Sequence, residues 1–290
     1  MFRRIFLSVL AAAMVLPLTA CVMEFDNAGG MVSGALKEYK ETVELSENHL
    51  SGQPIELNLD MKMAKAVIDS TDAKLADVKF SYNSKALMPE FIVKDDEISI
   101  RNGLEGLSFG KPVNLWDVKL TDKLPMEVEL RADASDVKMD MGRMLIKSIE
   151  AEINASTAKI YFDEPNRELM DKFKVNADAS NVSIYGAYNS GFETLDIDAN
   201  ASKITLDLSG ENERDGEIRI DAKASAVKLR LPENVGVRIV IDKYDISSVK
   251  INNSDILSRS DKEYVTKNYG EAESTLSIYA DLSVTTLTIE

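Results

Sequence analysis

From Met126 to the end of the chain, apolar and polar residues alternate in a phrase that returns about every 22 residues. Copies include Val128-Glu-Leu-Arg-Ala-Asp-Ala-Ser135, Phe173-Lys-Val-Asn-Ala-Asp-Ala-Ser180 and Leu195-Asp-Ile-Asp-Ala-Asn-Ala-Ser202. Strict alternation over seven residues is the period of a strand, not of a helix. It predicts Leu195, Ile197, Ala199 and Ala201 on one face, with Asp196, Asp198 and Asn200 on the other. The next apolar residue, Ile204, comes three positions after Ala201, so the straight strand must end in a corner at Ala-Ser. A second short strand (Ile204, Leu206, Leu208) follows, then a polar return through Gly210 and Gly216. Two strands, a corner and a return per 22 residues describe one coil of an all-β, single-chain β-solenoid, similar in build to a parallel β-helix.

The corner serines are Ser135, Ser156, Ser180, Ser202, Ser225 and Ser247. Stacked coils predict a structural ladder of these side chains about 4.8 Å apart, with the hydroxyls available to corner amides. A nucleophilic role has no base beside it. The alanines at 132/134, 177/179, 199/201 and 222/224 predict a thin corner with room only for methyl groups, where Ala201→Leu would overpack. Ala64 marks a degraded earlier copy, and Thr285 to Ile289 reads as a last strand. With no polar cap after that strand, an open coil edge and end-to-end self-association through the C-terminal coil are expected. The period is close to that of a leucine-rich repeat, but the seven-residue alternation does not fit that motif, and the glycine-rich calcium repeat is missing.

The first residues follow a different pattern. Arg3 and Arg4 precede an apolar run from Ile5 to Leu16, and Leu18-Thr19-Ala20-Cys21 follows Pro17. This is the order of a secretory signal. Its ending looks like a lipobox, which predicts a signal peptide over 1–20, cleavage after Ala20 and a diacylglycerol thioether on Cys21. The apolar run is shorter than the roughly 20 residues of a comfortable membrane span. Residues 21–40 read as the lipidated cysteine and a tether, with one helical turn near Leu36 to Tyr39, and 41–290 as the solenoid. Attachment to a membrane through the N-terminal lipid is the first expected partnership. With Val22 after the cysteine, the expected place is the cell envelope, at the outer membrane if the organism is Gram-negative.

Charge and rare residues narrow the chemistry. The net charge of −15 repels phosphate backbones, and no basic stripe offsets it, so a nucleic-acid partner is not expected. One cysteine and one histidine leave no disulfide and no His/Cys zinc site, and no cofactor is implied. Lys138, Lys159, Lys228 and Lys250 recur three residues after the corner serine, on the outward face of the second strand. They suit either a solvated face or a row contacting an anionic protein or envelope polymer. Asp133, Asp178, Asp198 and Asp221 lie across the corner, where they are expected to neutralise such lysines. Trp116 reads as a core plug, and Lys94 to Glu97 as a hairpin turn. The long step over 252–275 carries Tyr264 and Tyr269 and is the expected contact loop.

The stretch 41–290 resembles the toastrack domains, the group that includes the LiaF-like cell-wall-active-antibiotic-response C-terminal domains and neighbouring adhesin-type solenoids. The matching stretches are Glu41-Thr-Val-Glu-Leu45, Ala76-Asp-Val-Lys-Phe-Ser-Tyr-Asn83, Asn114-Leu-Trp-Asp-Val-Lys-Leu120, Leu229-Arg-Leu-Pro-Glu-Asn-Val-Gly236 and Tyr264-Val-Thr-Lys-Asn-Tyr-Gly270. Members of the group usually carry Gly-Ala-Gly at the corner. The Ala-x-Ala-Ser here implies a less tight one. The resemblance implies an envelope solenoid without catalytic residues, acting in binding, scaffolding, envelope-stress response or surface adhesion. A polysaccharide-acting β-helix enzyme is the remaining alternative; its long cleft-forming loops are not seen in these short returns.

Overall fold

The computed structural model describes residues 35–46, 53–104, 111–212 and 214–290. Residues 18–21, which carry the lipobox reading, lie outside the described residues.

The alternating phrases form paired strands, the first on one sheet and the second on the other. β1 (Lys37–Val43) precedes the first coil, β2 (Ile55–Lys62) and β3 (Lys65–Thr71). An excursion follows: β4 (Ala76–Tyr82), β5 (Glu90–Lys94), β6 (Glu97–Arg101) and β7 (Asn114–Thr121). Regular coils then run β8 (Pro125–Asp133) and β9 (Asp136–Asp140), β10 (Leu145–Asn154) and β11 (Thr157–Tyr161), and β12 (Met170–Asp178) and β13 (Asn181–Tyr185). Next come β14 (Phe192–Asn200) and β15 (Lys203–Asp207), then β16 (Gly216–Lys223) and β17 (Ala226–Arg230). β18 (Gly236–Asp245) and β19 (Ser248–Ile251) precede a hairpin, β20 (Ile256–Ser260) and β21 (Glu263–Thr266). The chain closes with β22 (Thr275–Ser283) and β23 (Thr286–Ile289).

Neighbouring regular coils pair parallel and in register, so Ala132, Ile153, Ala177, Ala199 and Ala222 line up in one row. That register points one apolar face of each sheet into a shared core, where Val128, Leu130, Phe173, Leu195, Ile204 and Leu229 are buried. Trp116 belongs to the same core; it meets Phe80 edge-on at 5.6 Å and donates its indole N–H to Asn114 Oδ1 at 2.8 Å.

The corner corrects the thin-methyl reading. In each alanine pair only the first residue faces inward: Ala132, Ala177, Ala199 and Ala222 are buried. The second of each pair, and Ala155 after Ile153, adopts a left-handed backbone, with φ of 49°, 49°, 50°, 50° and 47° at Ala134, Ala179, Ala201, Ala224 and Ala155, and these residues are exposed. A left-handed residue turns its Cβ away from the core, and the buried serine after it takes the inward position. Ala201 therefore sits outside the crowded space. The amide of each left-handed alanine donates to the next coil at 2.9–3.0 Å.

The stacking order departs from the chain order at both ends. β2 pairs with both β8 and β6, so the excursion of β4 to β7 builds outward from the first coil. At the other end β23 lies between β17 and β19, and β22 between β16 and β18. The last strand is thus interior. This corrects the expectation of an open edge there, and removes the edge on which self-association through the C-terminal coil was based. The end of the stack is formed by 236–266 instead, with β21 antiparallel on β18 and β20 antiparallel on β21. At the opposite end β1 lies antiparallel on β4, and β5 on β6. Antiparallel strands thus end both sheets at β1 and β5 and one sheet at β20, while β19 is the edge strand of the other. Residues 37–40 belong to β1, so neither the proposed helical turn nor a tether reaching residue 40 holds.

Candidate functional site

The corner serines form a hydrogen-bonded ladder along one edge of the stack. Ser135 N donates to Ser156 Oγ at 2.8 Å, Ser156 N to Ser180 Oγ at 3.1 Å, and Ser180 N to Ser202 Oγ at 3.0 Å. Ser202 N continues to Ser225 Oγ at 3.0 Å. Each hydroxyl in turn meets carbonyls, as Ser180 Oγ meets Asp178 O at 2.7 Å and Ile153 O at 2.8 Å. With acceptor and donor roles both engaged in the fold, these hydroxyls are poorly placed to serve as nucleophiles.

The six serines are not consecutive, however. Thr285 stands between Ser225 and Ser247: Ser225 N donates to Thr285 Oγ1 at 3.4 Å, and Thr285 N to Ser247 Oγ at 3.0 Å. Thr285 was legible in principle, because it precedes Leu287 as Ser202 precedes Ile204. What hid it was the assumption that coils stack in chain order.

The outward faces of the two sheets carry different charge. On the sheet of second strands, Lys138 lies opposite Lys159, and Lys159 opposite Ser183. The row continues through Thr205, Lys228, Thr288 and Lys250. All four lysines of the row are exposed. Lys228 is bound to Glu290 at 2.7 Å, and Lys138 places its ammonium 5.3 Å from the centre of the Tyr161 ring. Among the described residues Lys159 and Lys250 form no ion pair. Beside the row, Tyr161 and Tyr185 stack at 4.9 Å and 15°. Nothing in the sequence reading singled these rings out, although both end a second strand one coil apart.

The expected neutralisation of the lysine row by Asp133, Asp178, Asp198 and Asp221 does not occur. Those residues lie on the outer face of the other sheet. Asp133 and Asp178 accept from Asn154 and Asn200 at 3.0 Å each, and Asp221 pairs with Lys223 at 3.2 Å. There Asp198, Asp221 and Asp281 stand in register around a hollow of about 370 Å³ that also meets Arg219 and Tyr279. Lys243 holds Asp281 at 2.8 Å. A shallow groove of about 690 Å³ follows the outside of the corners from Met63 to Asn181. Among the described residues no group of three or more His, Cys, Asp or Glu side chains is placed to hold a metal ion.

The 252–275 stretch is the end cap, which separates Tyr264 and Tyr269 from the lysine face. Tyr264, half-buried on β21, donates its hydroxyl to Asp261 O at 3.3 Å. Burial raises its phenol above the ordinary value, with Tyr244 and Asp261 adding to the effect. Tyr269 lies under Arg259, whose guanidinium is 5.6 Å from the ring centre.

The family model of the N-terminal domain of toast_rack, DUF2154, matches residues 32–185. No curated protein matches the chain. Among solved structures, a "putative cell adhesion protein" from Clostridium sporogenes is 19% identical, with 88% of this chain and 99% of that one covered and a TM-score of 0.45. A "putative adhesin" from Bacteroides fragilis is 9% identical over 88% and 97% of the two chains, with a TM-score of 0.35. A "putative lipid binding protein" from Parabacteroides distasonis is 9% identical over 89% and 97%, with a TM-score of 0.31.

Proposed function

Because the chain belongs to the toast-rack family, whose N-terminal-domain model spans residues 32–185, we propose that it is a non-catalytic binding or scaffolding protein of the cell envelope, held there by a lipid on Cys21. The observation that carries this reading is the engagement of the corner row of hydroxyls. Ser135 to Ser225 bond corner to corner, which leaves the outer faces of a stiff stack as the surfaces offered to a partner. The lipobox-like Leu18-Thr19-Ala20-Cys21 supports anchoring, since two or three acyl chains hold a protein on a bilayer durably.

Cys21→Ser is expected to abolish incorporation of an alkynyl fatty acid and to move the protein from the membrane to the soluble fraction. Retention of both label and membrane would sink the anchoring. Protease treatment of intact cells separates a body facing inward from one displayed at the surface, which is the distinction between scaffold and adhesin. Release of reducing ends from a panel of uronic-acid polymers would overturn the non-catalytic reading.

A further inference from the structure

We propose that the outer face of the sheet of second strands binds an extended acidic polysaccharide, centred on Lys138, Lys159 and the stacked rings of Tyr161 and Tyr185. This deepens the envelope-binding reading above and rests on it.

Strand register supplies the first observation. Lys138 and Lys159 are direct partners in β9 and β11, so their side chains leave adjacent parallel strands about 4.8 Å apart. Like charges directly opposite one another destabilise a sheet. Neither lysine is relieved by a carboxylate, although acidic residues outnumber basic ones 49 to 34 in the chain. Asp136 and Asp140 share the outer face of β9 with Lys138, but Asp136 is held by Lys65 at 3.8 Å and Asp140 accepts from the Gly142 amide at 3.3 Å, while Asp198, Asp221 and Asp281 stand on the opposite outer face. The coil thus holds two adjacent lysines without an ion pair on one side of its wall, while on the other Asp221 and Asp281 are paired with Lys223 and Lys243.

A second observation is independent of charge. Tyr161 and Tyr185 stand half-buried on the outside of the sheet, where core packing does not require aromatic rings. Their in-register stack lies beside Ser183, which is buried, and Thr205, both in the same row as the lysines. Aromatic rings with hydroxyls at their rim suit sugar rings, whereas a bare chain of phosphates asks only for cations.

Shape decides between a small molecule and a polymer. This face is the outer side of an extended sheet, so affinity comes from weak contacts repeated along the stack. The lysine row offers such repetition, from Lys138 and Lys159 on adjacent strands to Lys228 and Lys250 further on. Lys228 is held by Glu290, which places the strongest contact at the Lys138–Lys159 end. A polysaccharide with anionic groups at regular intervals fits this arrangement.

The test uses the full chain in detergent and immobilised polygalacturonate, neutral dextran and polyphosphate. Binding is expected on polygalacturonate, weakened by salt, and absent on dextran. Lys138→Glu with Lys159→Glu is expected to weaken it by about tenfold or more, as loss of two charge-assisted contacts implies. The milder Lys138→Gln with Lys159→Gln and the pair Tyr161→Ala with Tyr185→Ala are expected to weaken it by roughly threefold to tenfold. Lys172→Glu with Lys174→Glu, on the other face, is expected to leave it unchanged, and melting curves confirm that each variant is folded. The proposal is overturned if polygalacturonate does not bind, if the Lys172/Lys174 variant loses as much as the Lys138/Lys159 variant, or if polyphosphate binds equally and the tyrosine variants bind as the parent does. None of these outcomes touches lipid labelling of Cys21 or the absence of hydrolysis, so failure here is separable from failure of the envelope-binding reading.

Discussion

A single residue turns each corner, and it does so against its own preference. The left-handed backbone brings Cβ close to the following carbonyl and costs an L-residue about 1–2 kcal/mol. Five alanines accept it, and the serine that follows each supplies the compensating hydrogen bonds. Ser180→Ala leaves the buried Ser156 amide without its acceptor, and a loss of about 1–3 kcal/mol in urea unfolding is expected. Ala199 and Ala201 are two positions apart yet face opposite ways. Ala199→Leu is expected to overpack the core by about 1–3 kcal/mol, while Ala201→Leu, with its side chain in solvent, leaves stability nearly unchanged. Equal losses would refute the left-handed corner. Ile246 and Val284 add to the strain, since a β-branched side chain at φ 48° or 53° is an outlier, and the 90% exposure of Ile246 returns little burial. Ile246→Gly is expected to raise the melting temperature, because relief of backbone strain exceeds the extra freedom given to the unfolded chain.

At the scale of the strand, parallel in-register pairing multiplies whatever each position carries. Inward rows become continuous strips of apolar core, and Asn–Asp rows become hydrogen-bonded chains, as between Asn200 and Asp178. Like charges are brought side by side, as Lys138 beside Lys159 and Asp198 beside Asp221, where Asp221 is paired with Lys223. The same pairing sets which amides are protected. β23 is bonded on both sides, to β17 and β19, while β19 has a free side. Hydrogen exchange of the β23 amides is therefore expected to be as slow as in β17 and slower than in β19. Fast exchange throughout β23 would contradict the interleaved order.

For the molecule as a whole, that order means the last coil lies between two coils that precede it in the chain. Contacts such as Ala224 with Ser283 join residues far apart in sequence, so completion of the C-terminal end must wait for the entire chain. The alternation of Leu195, Ile197 and Ala199 and the slip before Ile204 were enough to read strands, a corner, a coil and a stack from sequence alone, because side-chain period is a local property. The ladder of corner serines was legible for the same reason, though not their inward direction. The order of coils was not, since any strand with this pattern fits beside any other, and only global packing selects β23 as the neighbour of β17. Nor was the outward turn of Ala201, because alanine is apolar enough to read as core until a left-handed φ shows otherwise. The pairing of Lys138 with Lys159 beside stacked tyrosines, and the separation of both from the aspartates, likewise arose only in three dimensions, where register brings together what the sequence spaces a coil apart.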